Sequence, residues 1–241
     1  MKDWLSPDWP APLSVRACVT TRIGGVSAEP YDSFNLGTHV GDDAAAVVCN
    51  RQRLVDELKC RPAWLSQVHG VRVVEADPRA VLEADGAWTA MPGVAAVVMT
   101  ADCLPVLFCN RQGTRVAAAH AGWRGLANGV LEATLAALEA DPANVLVWLG
   151  PAIGPEAFEV GPEVREAFVS ELPGAEAAFR PSSNEGRFMG DLYALARLRL
   201  AACGVSSIHG GGFCTYTDTE RFYSYRRAAR TGRMASLVWL T

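Results

Sequence analysis

Three residues with side chains that ligate metals or act as nucleophiles lie where apolar, predicted strands end. His69 lies in the segment SQVHG, Cys103 lies in TADCLP, and His120 ends the run RVAAAH. One thiolate and two imidazoles suit Zn²⁺, and three protein ligands leave the fourth position open, as in catalytic zinc sites. The gaps between the three residues are long, so only the folded chain can bring their side chains together.

The same residues also suit catalysis without a metal. Either histidine can lower the pKa of the Cys103 thiol and make it a thiolate nucleophile. Asp102 or Gln67 would then orient the histidine that acts as the base. The spacing along the chain does not separate this interpretation from the metal site, and both stay open at this point.

Arginines beside glycines form a second group of candidate functional residues. The planar guanidinium group binds phosphate and carboxylate, and a glycine turn that leads into a helix is a ready anion site. The pattern applies to Arg22 in TRIGG, Arg124 in GWRG, Arg226 and Arg227 in FYSYRR, and Arg233 in TGR. Three aromatic side chains near them can stack on a flat base, namely Trp123, Tyr223 and Tyr225.

Short apolar strands that alternate with helices must position these residues. The predicted strands are rich in valine and other apolar side chains, as buried strands are. They are Val15–Thr20, Val71–Val74, Ala95–Thr100, Pro105–Cys109, Val116–His120, Val145–Leu149, Ile208–Phe213 and Leu237–Leu240. Strands interleaved with helices predict a single α/β or α+β domain. The polar stretch Arg180–Gly190 is predicted to be one surface loop.

Four segments have helical periodicity. The first, Ala44–Leu58, follows Asp42 and Asp43, which can cap it, and its predicted apolar face consists of Val48, Leu54, Val55 and Leu58. The other predicted helices are Leu126–Leu138, Pro162–Leu172 and Asp191–Cys203. A proline opens the third helix, and Gly204 follows the fourth, as is typical of helix ends.

The composition limits the class of protein. The chain has 241 residues, half of them hydrophobic, and a formal net charge of −4, which argues against a nucleic-acid or membrane-surface binder. The N-terminal stretch lacks the apolar core of a secretory signal, and no apolar run approaches the roughly 18 residues that span a bilayer. Seven cysteines without a CxxC pair indicate a reduced protein and a cytoplasmic location.

An ordered set of motifs resembles the YfiH-like family from about residue 16 to the end of the chain. The motifs are TRIGGVSAEPYDSFNLGTHVGDD, WLSQVHG, ADG, TADCLPVLF, VAAAHAGWRGL, WLGPAIGPEAFEVG, CTYTDTERFYSYRR and TGRMASLVW. The resemblance implies a single domain over residues 1–241 with an α/β/β/α sandwich of mixed sheets. It also implies similarity to the catalytic domain of cytotoxic necrotizing factor toxins.

The resemblance further implies that His69, Cys103 and His120 bind a metal, usually zinc, with copper as the alternative. The implied reaction is phosphorolysis of adenosine, inosine, guanosine and methylthioadenosine, with adenosine deamination as a further activity. A nucleoside and phosphate are thus the expected partners, and no nucleic acid or membrane is expected. We also expect a monomer, although the sequence does not report the oligomeric state. Six residues are expected to bind the substrate: Arg22, Asn35, Gln67, Arg124, Tyr223 and Arg226. Another family role, editing of peptidoglycan precursors, would use Cys103 as the nucleophile of an amide hydrolase.

The small number of histidines argues against the family's early label as multicopper laccases. A laccase needs a copper site of two histidines and a cysteine and a trinuclear cluster of further histidines. The chain has four histidines, so a site at His69 and His120 leaves only His39 and His209. The usual H-x-E and P-C-x-x-C pattern of zinc deaminases is also absent, so Asp102 is the candidate general base for deamination. Arg22 and Arg124 are the residues predicted to hold phosphate.

Overall fold

Residues 4–241 are described by the computed structural model, in which two β-sheets pack face to face between helices. Residues 1–3, at the start of the stretch predicted not to be a secretory signal, lie outside the described part. The strands are β1 (Val15–Val19), β2 (Arg61–Ala63), β3 (Leu65–Ser66), β4 (Val73–Glu75), β5 (Leu82–Glu83), β6 (Gly86–Thr89), β7 (Val94–Thr100), β8 (Leu104–Asn110), β9 (Val116–Ala121), β10 (Val145–Leu149), β11 (Glu159–Val160), β12 (Phe179–Pro181), β13 (Phe188–Gly190), β14 (Ser207–Gly210) and β15 (Met234–Leu240). The α-helices are α1 (Ala44–Leu58), α2 (Trp123–Asn128), α3 (Val130–Ala137), α4 (Pro162–Val169) and α5 (Leu192–Ala202).

Both large sheets mix parallel and antiparallel neighbours. The larger sheet has six strands in the order β14-β10-β8-β9-β6-β4, and the smaller has four in the order β1-β15-β7-β2. In the larger sheet β10 is parallel to β14 and antiparallel to β8. In the smaller sheet β7 is parallel to β2 and antiparallel to β15. The α/β class with mixed sheets is therefore confirmed.

Side chains that alternate along the strands create the apolar layers of the sandwich. Leu107 of β8 lies between the two sheets in one cluster with Val98 of β7. The next residue, Phe108, faces the opposite way and belongs to the cluster that includes the buried residues of α2, α3, α4 and α5. The outer face of β7, which carries Val97, shares a cluster with Leu54 of α1. The layer order is therefore α/β/β/α, as the resemblance implies. None of the helices within residues 4–241 is long and apolar enough to cross a membrane.

Helix α1 has the predicted bounds, and Leu54 and Leu58 of its predicted apolar face pack against the core, but the buried face is rotated away from Val48. Asp43 is its N-cap and accepts a hydrogen bond from the backbone of Ala45 at 3.0 Å. The buried residues are Val47, Asn50 and Leu54, whereas Val48, predicted to face the core, is exposed. Asn50 explains the rotation, because its amide nitrogen donates to the oxygens of three loop residues that pack against the helix, Ser27, Ser33 and Asn35.

The predicted helix Leu126–Leu138 is two helices, α2 and α3. Gly129 separates them with a φ of +99°, a left-handed conformation that a side chain would disfavour. The predicted helix Pro162–Leu172 ends earlier, at Val169. The predicted helix Asp191–Cys203 is α5, with Asp191 as its N-cap and Cys203 as its C-cap.

Two predicted segments have a different secondary structure from the one expected. The strand predicted over Ile208–Phe213 ends at Gly210, because three successive glycines, Gly210 to Gly212, have positive φ angles of 73°, 85° and 81°. The stretch Arg180–Gly190, predicted as one surface loop, contributes to the antiparallel pair β12–β13, in which Phe179 lies opposite Gly190. Several two- and three-residue strands, such as β3 and β5, carry no pattern long enough to predict.

Candidate metal centre

The three predicted ligands converge at the rim of the space between the two large sheets. His120 lies near the end of β9, opposite Pro105 of β8, and Cys103 lies in the turn that joins β7 to β8. His69 reaches the same point from the loop after β3. The potential ligand atoms of the three side chains all lie within 4.8 Å of one another, and His69 Nε2 is 3.8 Å from Cys103 Sγ.

A buried carboxylate, that of Asp85, fixes both histidines. Its Oδ1 lies 2.8 Å from His120 Nδ1 and accepts the backbone N–H of His69 at 2.9 Å. Its Oδ2 accepts the backbone N–H of Gly70 at 2.7 Å and that of Val68 at 3.2 Å. Since the side chain of Asp85 is fully buried and its partners are all donors, His120 carries its proton on Nδ1 and turns Nε2 towards the site.

The electrostatics of the site favour a thiolate. Burial alone would raise the pKa of Cys103, but the charge and hydrogen bonds of His120 and His69 outweigh it and lower that pKa to about 6. Burial works against the protonated His120, yet the charge of Cys103 and the hydrogen bond to Asp85 raise its pKa to about 9. Burial would likewise raise the pKa of Asp85, but the hydrogen bonds from His120 and Gly70 hold it below its usual range.

Two residues of the site have left-handed backbone conformations that side chains rarely adopt. The φ angle of His69 is +62° and that of Asp102 is +88°. Asp85 stabilises the His69 turn through three consecutive N–H groups. The Asp102 turn is held by its own carboxylate, which accepts hydrogen bonds from Thr215 Oγ1 at 2.6 Å and Ser224 Oγ at 3.0 Å, and also from the backbone of Arg226 at 2.6 Å. Such strain is retained where the surrounding structure fixes a functional geometry.

Gly122 provides the space in which His69 and Cys103 approach each other. A Cβ atom at this position would lie 2.7 Å from Cδ2 of His69 and 3.1 Å from Cys103 Sγ. The residue has a φ of −63°, which any amino acid adopts, so the backbone does not require glycine here. Glycine is required at position 122 because a side chain there would collide with His69 and Cys103.

We expect Gly122→Ala to weaken metal binding while leaving the fold intact. The added methyl group displaces the His69 ring or the Cys103 thiol by several tenths of an ångström, and misplaced ligands should cost about tenfold or more in affinity. Competition with a chromogenic chelator measures the affinity, and thermal unfolding of the metal-free chain checks the fold. A metal affinity within about twofold of wild type would show that Gly122 does not constrain the ligands.

A cavity of about 520 Å³ opens at the three ligands, within the usual range for small-molecule sites. Six further residues that the sequence marks as candidates line it: Gln67, Asp102, Trp123, Tyr225, Arg226 and Arg233. Gln67 is fixed by the backbone of Met99, which accepts from Nε2 at 2.8 Å and donates to Oε1 at 2.7 Å. The other lining residues that bear on chemistry are His39 and Phe158.

The remaining predicted substrate-binding residues do not line this cavity. Arg22 pairs with Asp32 at 2.8 Å. Tyr223 is fully buried and donates its hydroxyl to the carbonyl of Tyr31 at 2.6 Å. Asn35 is also buried, and its Oδ1 accepts the backbone N–H groups of Gly37 and Arg233. Arg124 is exposed, with its guanidinium 4.3 Å from the ring centroid of Trp123.

Three residues of the site are not among those that the sequence singles out as candidates: Asp85, His39 and Phe158. Asp85 could have been predicted from its sequence context. A charged residue between Ala84 and Gly86 in an apolar stretch needs hydrogen-bond partners when it is buried. His39 was counted only as a histidine outside the metal set, and Phe158 has no pattern that separates it from an ordinary core residue. The structure brings both to the cavity wall.

The donor set fits a metal ion of borderline softness such as Zn²⁺. Two imidazoles and a thiolate are common zinc ligands, and the carboxylate of Asp85 behind His120 is the usual support of a zinc-bound histidine. His120 would bind through Nε2, because Nδ1 faces Asp85 at 2.8 Å. The cavity beside the three ligands leaves a further coordination position for substrate or water. The fold and the site thus define an α/β/β/α protein with a candidate catalytic metal centre.

Residues 16–241 match the family described as multi-copper polyphenol oxidoreductase laccase, and the chain belongs to this family. It is 69% identical over 240 residues to a Pseudomonas aeruginosa protein named purine nucleoside phosphorylase, with 100% of this chain and 99% of that protein covered. It is 55% identical to the purine nucleoside phosphorylase YfiH of Escherichia coli, with both chains covered completely. The crystal structure of a Neisseria meningitidis protein of the DUF152 family superposes with a TM-score of 0.96 at 50% identity, covering 99% of each chain.

Proposed function

We propose that the chain is a zinc-dependent purine nucleoside phosphorylase that accepts adenosine, inosine, guanosine and methylthioadenosine. One observation carries the proposal: the His69, Cys103 and His120 ligand group opens onto a cavity large enough for a nucleoside. The names of the Pseudomonas aeruginosa and Escherichia coli relatives support the same activity.

Phosphorolysis sets two requirements for the site. The bond between purine N9 and ribose C1′ breaks, and a bond from a phosphate oxygen to C1′ forms. The electron pair of the broken bond goes to the purine, which takes up the proton of hydrogen phosphate, so the products are the free base and ribose 1-phosphate. The site therefore has to hold phosphate beside C1′ and stabilise the negative charge that develops on the purine.

The cavity wall supplies groups for the nucleoside. The aromatic side chains of Trp123, Phe158 and Tyr225 offer apolar faces for a purine ring. Met99 and Ile153 add apolar surface that excludes water from the reacting bond. When bound to the three ligands, zinc supplies a Lewis acid that polarises an oxygen of the substrate.

Adenosine deamination is proposed as a side activity in the same cavity, with water replacing the amino group and ammonia leaving. Asp102 remains the candidate general base because its carboxylate lines the cavity. Its two oxygens already accept hydrogen bonds from Thr215, Ser224 and the backbone of Arg226. Oδ1 accepts only the bond from Thr215, so it keeps a lone pair with which to take a proton.

A multicopper oxidase is not part of the proposal. Within residues 4–241, the group of His69, Cys103 and His120 is the one set of histidine, cysteine and acidic side chains close enough to hold a metal. His39 lies on the cavity wall, and His209 lies on the edge strand β14, with Nε2 3.0 Å from the hydroxyl of Ser207. These positions support a single metal centre.

The proposal is tested with metal-free, zinc-loaded and copper-loaded protein on inosine, adenosine and methylthioadenosine, each with and without phosphate. We expect the zinc form to release the base only when phosphate is present, and a chelator to abolish the release until zinc is restored. Equal activity of the metal-free and zinc-loaded forms would contradict the proposed role of the metal.

An amide hydrolase with Cys103 as its nucleophile is the second candidate. The lowered pKa of the Cys103 thiol and the raised pKa of His120 favour it, because together they give a thiolate beside an imidazolium in the metal-free chain. Mass spectrometry of the protein mixed with a peptidoglycan-precursor amide separates the two candidates. A covalent adduct on Cys103, formed while nucleosides remain intact, would favour the hydrolase.

A further inference from the structure

Basic side chains without acidic partners are concentrated at one end of the active-site cavity. Arg233 and His39 line this end, and His39 also lines a neighbouring cavity of about 300 Å³ together with Arg51. No carboxylate within residues 4–241 forms an ion pair with Arg233 or Arg51, although arginines elsewhere, such as Arg22, do have one. The charges of Cys103 and Asp102 act on Arg233 across the cavity, but neither residue forms an ion pair or hydrogen bond with it within residues 4–241, so its guanidinium group can attract an anion.

Arg233 is held in place by neighbours that leave part of its guanidinium group free. Its Nη1 donates to the carbonyls of Thr231 at 3.1 Å and Gly232 at 3.0 Å, and its backbone N–H donates to Asn35. Gly37 gives room to its side chain, since a Cβ there would lie 2.8 Å from Arg233 Cγ. The Nε and Nη2 groups have no acceptor in the described part of the chain, so they are available to a ligand.

Arg51 adds a second fixed positive charge behind His39. Its Nε and Nη2 donate to the carbonyl of Leu36 at 2.9 and 2.8 Å, and its guanidinium lies 3.8 Å from the ring centroid of Trp64. Burial and the charges of Arg233 and Arg51 lower the pKa of His39. This direction agrees with an excess of positive charge at this end of the cavity.

The other arginines predicted to bind phosphate are less suitable. Arg22 is paired with Asp32, and Arg124 is not part of the cavity wall. Arg226 lines the cavity, but its Nη1 donates to the carbonyl of Glu159 at 2.8 Å, and the negative charge of the Glu159 side chain is close enough to interact with it. Arg233 is therefore the cavity arginine best placed to receive an anion.

We propose that inorganic phosphate binds at the Arg233 and His39 end of the cavity, where Nε and Nη2 of Arg233 hold two of its oxygens and the imidazole of His39 donates to a third. Arg51 contributes its charge without direct contact. This assignment rests on the proposed phosphorolysis, because it supplies the phosphate-holding group that the reaction needs. It also gives buried Asn35 a role, since Asn35 positions the backbone of Arg233.

The test measures phosphate in two independent ways on zinc-loaded protein. Calorimetric titration with inorganic phosphate gives its affinity, and inosine phosphorolysis gives separate KM values for phosphate and inosine. The variants are Arg233→Gln, Arg233→Lys and His39→Leu. Arg230→Gln is the matched control, because Arg230 is exposed, lies in the same segment and is absent from the cavity wall.

We expect Arg233→Gln to weaken phosphate binding and raise the phosphate KM by about tenfold or more, as the loss of charge-assisted hydrogen bonds implies. The inosine KM should stay within twofold, Arg233→Lys should recover part of the loss, and Arg230→Gln should match wild type. If Arg233→Gln does not fold, the His39→Leu variant tests the phosphate site instead. This variant should fold, because His39 makes no side-chain hydrogen bond within residues 4–241. We expect His39→Leu to weaken phosphate binding about threefold.

Wild-type phosphate affinity in folded Arg233→Gln, or in His39→Leu when Arg233→Gln does not fold, would overturn the assignment. Absence of phosphate binding by the wild-type protein would overturn it as well. A different result would contradict the proposed phosphorolysis itself: wild-type protein would show no release of base that depends on phosphate. In that case, phosphate binding that is lost in Arg233→Gln would still establish the anion site.

Discussion

Cys103→Ala is expected to abolish both tight metal binding and phosphorolysis. The thiolate is one of three ligands, and the two histidines that remain hold zinc only weakly. Loss of a supporting residue behind a ligand already costs about 10- to 100-fold in metal affinity or activity, so loss of the ligand itself should exceed about 100-fold. Elemental analysis after gel filtration gives the metal content, and base release from inosine gives the activity.

Cys49→Ala is the matched control for this variant. Cys49 is a partly exposed free thiol on α1, and it lines a surface groove on that helix, not the active-site cavity. Its removal should change neither metal content nor turnover. Full phosphorolysis by Cys103→Ala would contradict the assignment of the metal centre, whatever its metal content.

Asp85→Asn is expected to have the second-largest effect. The carboxylate accepts from His120 Nδ1 and from three backbone N–H groups, whereas an amide replaces one acceptor oxygen by a donor. One or more buried donors then lose their partner, and His120 loses the group that fixes its tautomer. We expect metal affinity or kcat/KM to fall about 10- to 100-fold. The free energy of unfolding should fall by about 3 kcal/mol, as for a broken buried ion pair.

Asp56→Asn provides the control for the charge change. Asp56 is exposed on α1 and accepts one hydrogen bond, from Gln52 at 2.9 Å. Its substitution should leave unfolding and turnover within error of wild type. Wild-type metal affinity in Asp85→Asn would mean that the histidines are oriented by other groups.

Two of the three candidate ligands, Cys103 and His120, could be predicted to lie close together because they occur at the ends of strongly apolar strands. Cys103 directly precedes β8 and His120 lies near the end of β9. The two strands pair in antiparallel register, so the proximity of the two residues follows from one strand pair. The approach of His69 could not be predicted. It depends on a left-handed turn that Asp85 stabilises from the bend between β5 and β6, and no local pattern encodes that contact.

Several predicted substrate residues lie away from the cavity, because proximity to glycine in sequence does not reveal which way a side chain points. Arg22 lies ten residues from Asp32, its actual partner, and no periodic element links the two. Tyr223 and Tyr225 are two residues apart in an irregular loop, yet the first is buried and the second lines the cavity. Without a regular element, the sequence gives no rule for their directions.

The fold was predictable where a pattern was long and uniform. Helix α1 and strand β10 have the predicted bounds, since each is a continuous run of one periodicity. The division of the helical segment at Gly129 and the exposure of Val48 were not predicted. Both depend on tertiary contacts, which override local preference.

The central claim is that this chain cleaves purine nucleosides with phosphate at the centre formed by His69, Cys103 and His120. The most direct measurement follows inosine, phosphate and zinc-loaded protein by ³¹P nuclear magnetic resonance while hypoxanthine is quantified in the same sample. We predict ribose 1-phosphate and hypoxanthine in equal amounts, with neither formed by Cys103→Ala. Intact inosine, or hypoxanthine released with free ribose whether or not phosphate is present, would contradict the claim.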